Sequence, residues 1–196
     1  MFKDLVCQNR SYRRFDQSHA VDSATLRDLV ELARLVGSGM NLQPLRYIVC
    51  ADPTTNATIF KHLTWARYLE DWGGPAEGER PTAYIIILGD STIKPHVNTS
   101  ANTDFGIAAQ TILLGAVEQG LGGCMIGSIN RNGLRADLQL EEHYEILLVL
   151  ALGKPAETVV IDPIGADGSV KYWRDENSVH HVPKRSLDEI LIKVIG

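Results

Sequence analysis

With 196 residues, 44% hydrophobic and 22% charged, the chain is long enough for one sizeable core and has an ordinary globular balance. A net charge of −5 and a pI near 5.7 exclude a general nucleic-acid surface, which needs a basic face. Cys7, Cys50 and Cys124 are widely spaced and form no C-x-x-C, which argues against a disulfide framework or a zinc site and for reduced thiols in a cytoplasmic protein. The N-terminus lacks a signal-peptide core, and no run of about 18 apolar residues is present to span a membrane.

Taken in order, Phe2 to Gln8 reads as a short amphipathic helix. Asn9-Arg10-Ser11-Tyr12-Arg13-Arg14 then places three arginines around a serine. Arginine forks suit phosphate, although a solvated turn with Asp16 as partner is an equal reading. Ser23 to Val36 has helical spacing, with Ser23 as the expected N-cap. Ser38 to Pro44 leads through an expected extended turn, carrying Asn41 and Gln43, into a strand at Tyr47 to Cys50. The two amides suit the carbonyl and imide edge of a planar ring, or are simple turn chemistry. Asn56 to Trp72 is predicted as a weak helix carrying Trp65, Tyr68 and Trp72. Gly73 to Pro81 follows as a glycine- and proline-rich loop, a candidate lid, and Thr82 to Gly89 as a strand covered on both faces.

Ser91 to Thr103 is expected to be a loop or short helical piece. Asp104 is the expected cap of a buried helix, since Phe105, Ile107, Ala108, Ala109, Ile112, Leu113, Leu114, Ala116 and Val117 cover nearly every face. Gly120, Gly122 and Gly123 then break it, and Cys124 to Gly127 follow as a short apolar segment. A glycine-rich backbone lets amides approach a flat ligand closely; the alternative is an ordinary helix cap. Arg131 to Leu138 is a short helix. Tyr144 to Leu152 is a strand stopped by Gly153-Lys154-Pro155. Asp167-Gly168 marks a turn, Val170 to Asp175 a candidate strand, and Ser186 to Ile195 a terminal amphipathic helix. No second domain is visible, so residues 1–196 read as one.

Several chemistries are unsupported. The glycines follow a helix instead of a strand, which disfavours a dinucleotide fingerprint. There is no G-x-S-x-G elbow and no P-loop. Cys124 reads as a buried filler before a nucleophile. His180 and His181 lack a further ligand at metal spacing.

The order of Arg10-Ser11-x-Arg13, Ser38 to Pro44, the helix with its glycine break, Lys154-Pro155 and Pro183-Lys184-Arg185 resembles the FMN-dependent nitroreductase family along nearly the whole chain. The resemblance implies an α+β fold, a central mixed sheet wrapped by helices, in an intertwined homodimer with two flavins at the interface. It implies that Arg10, Ser11 and Arg13 hold the FMN phosphate, joined by Lys184 and Arg185. It implies that Ser38, Met40, Asn41 and Gln43 reach the ribityl chain and ring from the partner subunit. Met125, Ile126 and Gly127 would supply backbone beside the ring nitrogen that receives hydride. The chain departs from the family pattern at Asn9, where many members have a second arginine, and at Leu45, where an aromatic is common.

On this resemblance the chain is expected to be an NAD(P)H oxidoreductase working by ping-pong hydride transfer on nitroaromatics, quinones or similar acceptors. No catalytic side chain and no metal are expected, and Trp65 and Tyr68 are candidate pocket walls. Two alternatives stand beside it: a flavin enzyme of another reaction, such as a dehalogenase or enoate reductase, and a flavin-binding redox sensor or store without turnover.

Overall fold

In a computed structural model that describes residues 1–95 and 102–196, two apolar runs set the centre of the molecule. Strand β3 (Ala83–Asp90) pairs antiparallel with β5 (Tyr144–Pro155), from Ala83 against Leu152 to Asp90 against Tyr144. Every residue of β3 is buried, as a strand covered on both faces requires. Successive side chains alternate between faces. Ile85, Ile87, Leu148, Leu150 and Leu152 enter one core; Tyr84, Ile86, Val149 and Ala151 enter the other.

Strand β2 (Leu45–Cys50) flanks β3 and forms one edge of the sheet. On the other side, β5 is long enough to hold two partners. Strand β4 (Gly122–Ile126) pairs with its middle, and β1 (Phe15–Asp16) pairs with Lys154 and Pro155. The dipeptide expected to stop β5 therefore extends it instead, because β1 supplies a partner. All these ladders are antiparallel, and a parallel bridge from Ser11 to Gly123 adds the N-terminal segment. The α+β architecture expected from the sequence, a sheet wrapped by helices, is present.

Helix α1 (Phe2–Gln8) lies at the N-terminus. Helices α2 (Ser23–Arg34) and α4 (Asn102–Glu118) cover one face of the sheet. Helix α3 (Pro53–Lys61) and helix α5 (Arg131–Asp137) cover the other. Asp22, not Ser23, caps α2, its carboxylate accepting from the Thr25 amide at 2.7 Å. The predicted helix at Asn56 to Trp72 ends at Lys61 because the chain there turns to pair with a later segment. Thr64 donates to the Ser128 carbonyl at 3.0 Å, and Leu63 bridges Ile129. Helix α4 is not wholly buried, since Ile107 is 40% exposed. The expected loop at Ser91 to Thr103 lies partly outside the described residues.

The glycines after α4 divide into two roles. Gly120 has φ +71° and ends the helix, with the Leu121 amide bonding back to the Ala116 carbonyl at 2.8 Å. Gly122 and Gly123 instead begin β4, so the expected break is half cap and half strand. Beyond β5 the sequence reading missed a second small sheet, built from β6 (Val159–Pro163), β7 (Trp173–Arg174) and β8 (His180–Lys184) in the order β6, β8, β7. The candidate strand at Val170 to Asp175 shrinks to β7.

The terminal helix is only α6 (Leu187–Ile190), capped by a reciprocal Ser186–Glu189 pair. Residues 191–196 are not helical, and Ile192, Val194 and Ile195 are 96%, 78% and 82% exposed. A short amphipathic segment gains its stability from the surface that it packs against, and none is offered within this chain.

The approach of neighbouring groups to β4 yields a test. A Cβ on Gly123 would lie 2.6 Å from the Ala151 carbonyl oxygen and 2.7 Å from Leu113. Since the first of these is backbone and cannot step aside, Gly123→Ala is expected to destabilise by about 1–3 kcal/mol. Denaturant midpoints of the two proteins check this.

Candidate functional site

Strand β4 has one edge against β5 and one facing away. The Tyr12 amide donates to the Gly123 carbonyl at 3.0 Å on the outer edge. In an antiparallel ladder the backbone groups of alternate residues point to opposite edges. Gly123 and Met125 therefore present their amides and carbonyls outward, while Cys124 and Ile126 face β5; Gly127 lies beyond the strand, its carbonyl sharing Arg131 with the Leu147 carbonyl of β5. Gly123 is taken by Tyr12, and the Gly127 carbonyl accepts from Arg131 at 3.3 Å. The Met125 amide has no partner across this edge among the described residues. The result is a short open stretch of main chain between the 10–13 segment and the 62–64 segment. The Met125 side chain is 37% exposed, and the Ile126 side chain is buried in the core with Cys124. Burial pushes the Cys124 thiol up, against a lowering from nearby Arg13, so it stays a protonated filler.

The arginine cluster sits at one end of this stretch. Arg10 donates from Nη2 to the Val6 carbonyl at 2.9 Å, while its Nε is buried with no partner, and no acid pairs with it, among the described residues. Arg13 is more heavily engaged. Its guanidinium lies over the Tyr172 ring at 4.8 Å and 3.2 Å from His180 Nε2. Its amide donates to Glu157, as does the Arg14 amide at 3.2 Å. The same carboxylate receives Arg174 at 3.0 Å, with the Glu157 side chain only 1% exposed. Glu157 thus ties the N-terminal cluster to the small sheet. No sequence motif marks it; a lone glutamate four residues past Gly153 carries no spacing that would have found it.

Lys184 and Arg185, expected beside the same cluster, do not contact it within this chain. His180, at the start of β8, touches Arg13, and Lys184 lies at the other end of the same strand, about 13 Å along an extended backbone. Lys184 is exposed with no acid partner among the described residues, and Arg185 reaches only Glu189, at 3.5 Å.

The Ser38–Gln43 segment is a tight left-handed turn, not the extended one expected. Met40, Asn41 and Gln43 have φ of 54°, 54° and 52°. Three non-glycine residues in this region are strained, and such strain persists only where surrounding structure imposes it. Asp104 imposes it. Its buried carboxylate accepts from Ser38 Oγ at 3.1 Å and from the Gly39 amide at 3.0 Å. Ser38 Oγ in turn accepts from the Gln43 amide at 3.0 Å. Asp104 is therefore a clasp for another segment; α4 already starts at Asn102, so it does not cap its own helix. Met40 stands 90% exposed at the tip.

Of the two aromatic candidates, Trp65 is in the core, 4% exposed and 5.7 Å from the Phe60 ring. Tyr68 is half exposed, and its ring meets Tyr172 at 5.0 Å. The small sheet also pins Trp72, under the Arg174 guanidinium at 4.2 Å. The segment before the glycine-rich loop is thus anchored through β7 and its neighbour Tyr172.

Unpaired cations at Arg10 and Lys184 and an outward main-chain stretch at Met125 are donors that suit a phosphate and a flat, carbonyl-bearing ring. Among the described residues no group of acids, histidines and cysteines is arranged to hold a metal ion.

Comparison with known proteins agrees. A family model described as the nitroreductase family matches residues 7–72 and 80–154. The chain is also similar to a Desulfovibrio desulfuricans structure assigned to the nitroreductases and solved in complex with FMN (TM-score 0.71, 23% identity, 100% of this chain and 97% of that one). A nitroreductase family protein from Clostridium novyi NT matches at TM-score 0.66 and 20% identity, over 96% and 98% of the two chains. An FMN-dependent nitroreductase from Clostridium difficile R20291 matches at TM-score 0.61 and 21% identity, over 78% and 87%.

The two adjacent histidines give a pH test. Burial, then the charges of Arg13 and Arg174, holds His180 down at about 4. The unfolded residue takes its proton near 6.5, so stability is expected to fall as pH drops from about 6.5 to about 4. His181 is raised, first by its bond to Asp162, so its contribution is complete below about 6.5 and is lost as pH climbs through the raised value. The two windows lie on opposite sides. Urea unfolding from pH 7 to 4 should therefore show a shallower acid decline in His180→Gln, and an equal decline would contradict the assignment.

Proposed function

The chain belongs to the nitroreductase family, and on that premise we propose that it is an FMN-dependent NAD(P)H oxidoreductase reducing nitroaromatics, quinones or similar electron-poor acceptors. The observation that carries this reading is the open main-chain edge at Met125 beside the unpaired Arg10. FMN, when bound, supplies a ring that takes and returns hydride; the protein supplies position and electrostatics. Arg10, Ser11 and Arg13 hold its phosphate; Lys184 and Arg185, which do not reach that cluster within this chain, join it only on assembly of the dimer. The outward amide of Met125 lies beside the ring, followed by Gly127, with Ile126 fixing the strand from the core. Donors placed where negative charge develops make a side-chain acid or base unnecessary. NAD(P)H and the acceptor use one pocket in turn, a ping-pong order, with Tyr68 at its wall and Trp65 behind it. All three cysteines are free, which fits a reducing cytoplasm.

The reading includes a homodimer. The exposed apolar side chains of Ile190, Leu191, Ile192, Val194 and Ile195 need a second surface. The strained, projecting turn at Ser38, Met40, Asn41 and Gln43 reaches the partner's flavin.

Purified protein is expected to be yellow and to bleach anaerobically on adding NADH or NADPH. Colourless protein that takes up no FMN contradicts the proposal, and bound flavin reduced by neither nicotinamide moves the reading to a redox sensor or store. Because bonds to charged groups contribute about 1.5–3 kcal/mol, Arg10→Ala should weaken FMN binding about tenfold or more, by less at high salt. Separately, removal of residues 187–196 should convert the dimer to monomer in sedimentation velocity. A truncated chain that still sediments as a dimer would contradict the role given to the tail.

A further inference from the structure

A second cavity, of about 190 Å³, opens between α3 and the start of β3 and shares no residue with the flavin set. Its walls are largely apolar, including Ala51, Pro53, Ala57, Phe60 and Pro81. Arg80, Asn56 and Tyr84 bring polar groups to it.

Two of these side chains, Asn56 and Arg80, have a polar atom without a partner among the described residues. Asn56 is 7% exposed; its Nδ2 donates to the Thr82 carbonyl at 2.8 Å, and its Oδ1 is buried and unpaired. A buried acceptor left open costs stability, so a donor is wanted there. Arg80 has no acid partner among the described residues, and its Nε is buried and unpaired. Its guanidinium stacks on the Phe60 ring at 4.5 Å. Stacking occupies the face of the fork and, with Nε buried, leaves its terminal edge for a two-bond carboxylate contact. Tyr84 is 1% exposed. Burial raises its pKa far above the ordinary phenol value, so it remains a neutral donor.

The size of the space narrows the ligand. An apolar cavity of about 150 Å³ takes a benzene ring. The 190 Å³ here has room for a ring with a carboxylate. We propose that this cavity is a second binding site, specific for a small aromatic carboxylate that carries a hydroxyl or amino donor. The carboxylate bonds the edge of Arg80 and the Tyr84 hydroxyl, the ring lies among Phe60, Pro53 and Ala57, and the donor meets Asn56 Oδ1.

The test is calorimetric titration of the full chain with 4-hydroxybenzoate, 2-aminobenzoate and, as the neutral counterpart, benzamide. At least one of the two acids is expected to bind with one-to-one stoichiometry, and benzamide at least tenfold more weakly. Arg80→Gln should weaken the acid at least tenfold, Arg80→Lys by an intermediate factor and Tyr84→Phe by a few-fold, with unfolding curves confirming that each variant is folded. Absence of heat with both acids would overturn the proposal. So would equal binding by Arg80→Gln, equal binding of benzamide, or a perturbed flavin spectrum that persists in Arg80→Gln, since the probe would then lie on the ring.

Discussion

The hydrogen bond from the Tyr12 amide to the Gly123 carbonyl is the contact on which the rest of the site depends. It sets the N-terminal arginines against a strand and fixes which groups of that strand face outward. It requires the absence of side chains at two positions. A Cβ on Gly122 would lie 2.5 Å from the Tyr12 ring, and one on Gly123 would meet the backbone of β5. The outer edge of β4 is then sealed at Gly123 and at residues 128–130, and open between. An open strand edge inside a protein is a liability unless something covers it. A flat ring with hydrogen-bonding groups along one side is such a cover.

Two buried carboxylates hold distant segments of the chain in place. Glu157 gathers the amides of Arg13 and Arg14 and the guanidinium of Arg174 into one buried knot. Breaking such a knot by removing one partner is costly, about 3–5 kcal/mol, because a charge is left buried without compensation. The knot also makes the small sheet part of the site, since β7 and Tyr172 reach Trp72 and Tyr68 through it. Asp104 does the same for the left-handed turn at Ser38–Gln43, which it holds in its strained form.

Much of the fold was legible because burial leaves a pattern. The unbroken apolar runs at Ile85–Leu88 and Ile146–Leu152 announced central strands, and the spacing of α2 announced a helix. What was hidden depends on contacts between distant segments. β1 is two residues long and exists because Lys154 and Pro155 lie beside it. The helix expected through Trp72 ends early because residues 128–130 compete for its backbone. Asp104 looks like a cap in one dimension and becomes a clasp in three. For the site, Arg10 and the Met125 stretch were readable from residue type and glycine placement. Glu157 and His180 were not, since their meaning comes from the arginines that they meet.

The account rests on the outward edge of β4 lying against the flavin ring. The most direct measurement is the amide ¹H–¹⁵N spectrum of protein reconstituted with FMN, recorded oxidised and then reduced. On the proposed function the Met125 amide moves more than those of Cys124 and Ile126, which face β5. Shifts confined to residues away from residues 123–127 on reduction, with Met125 unmoved, would contradict it.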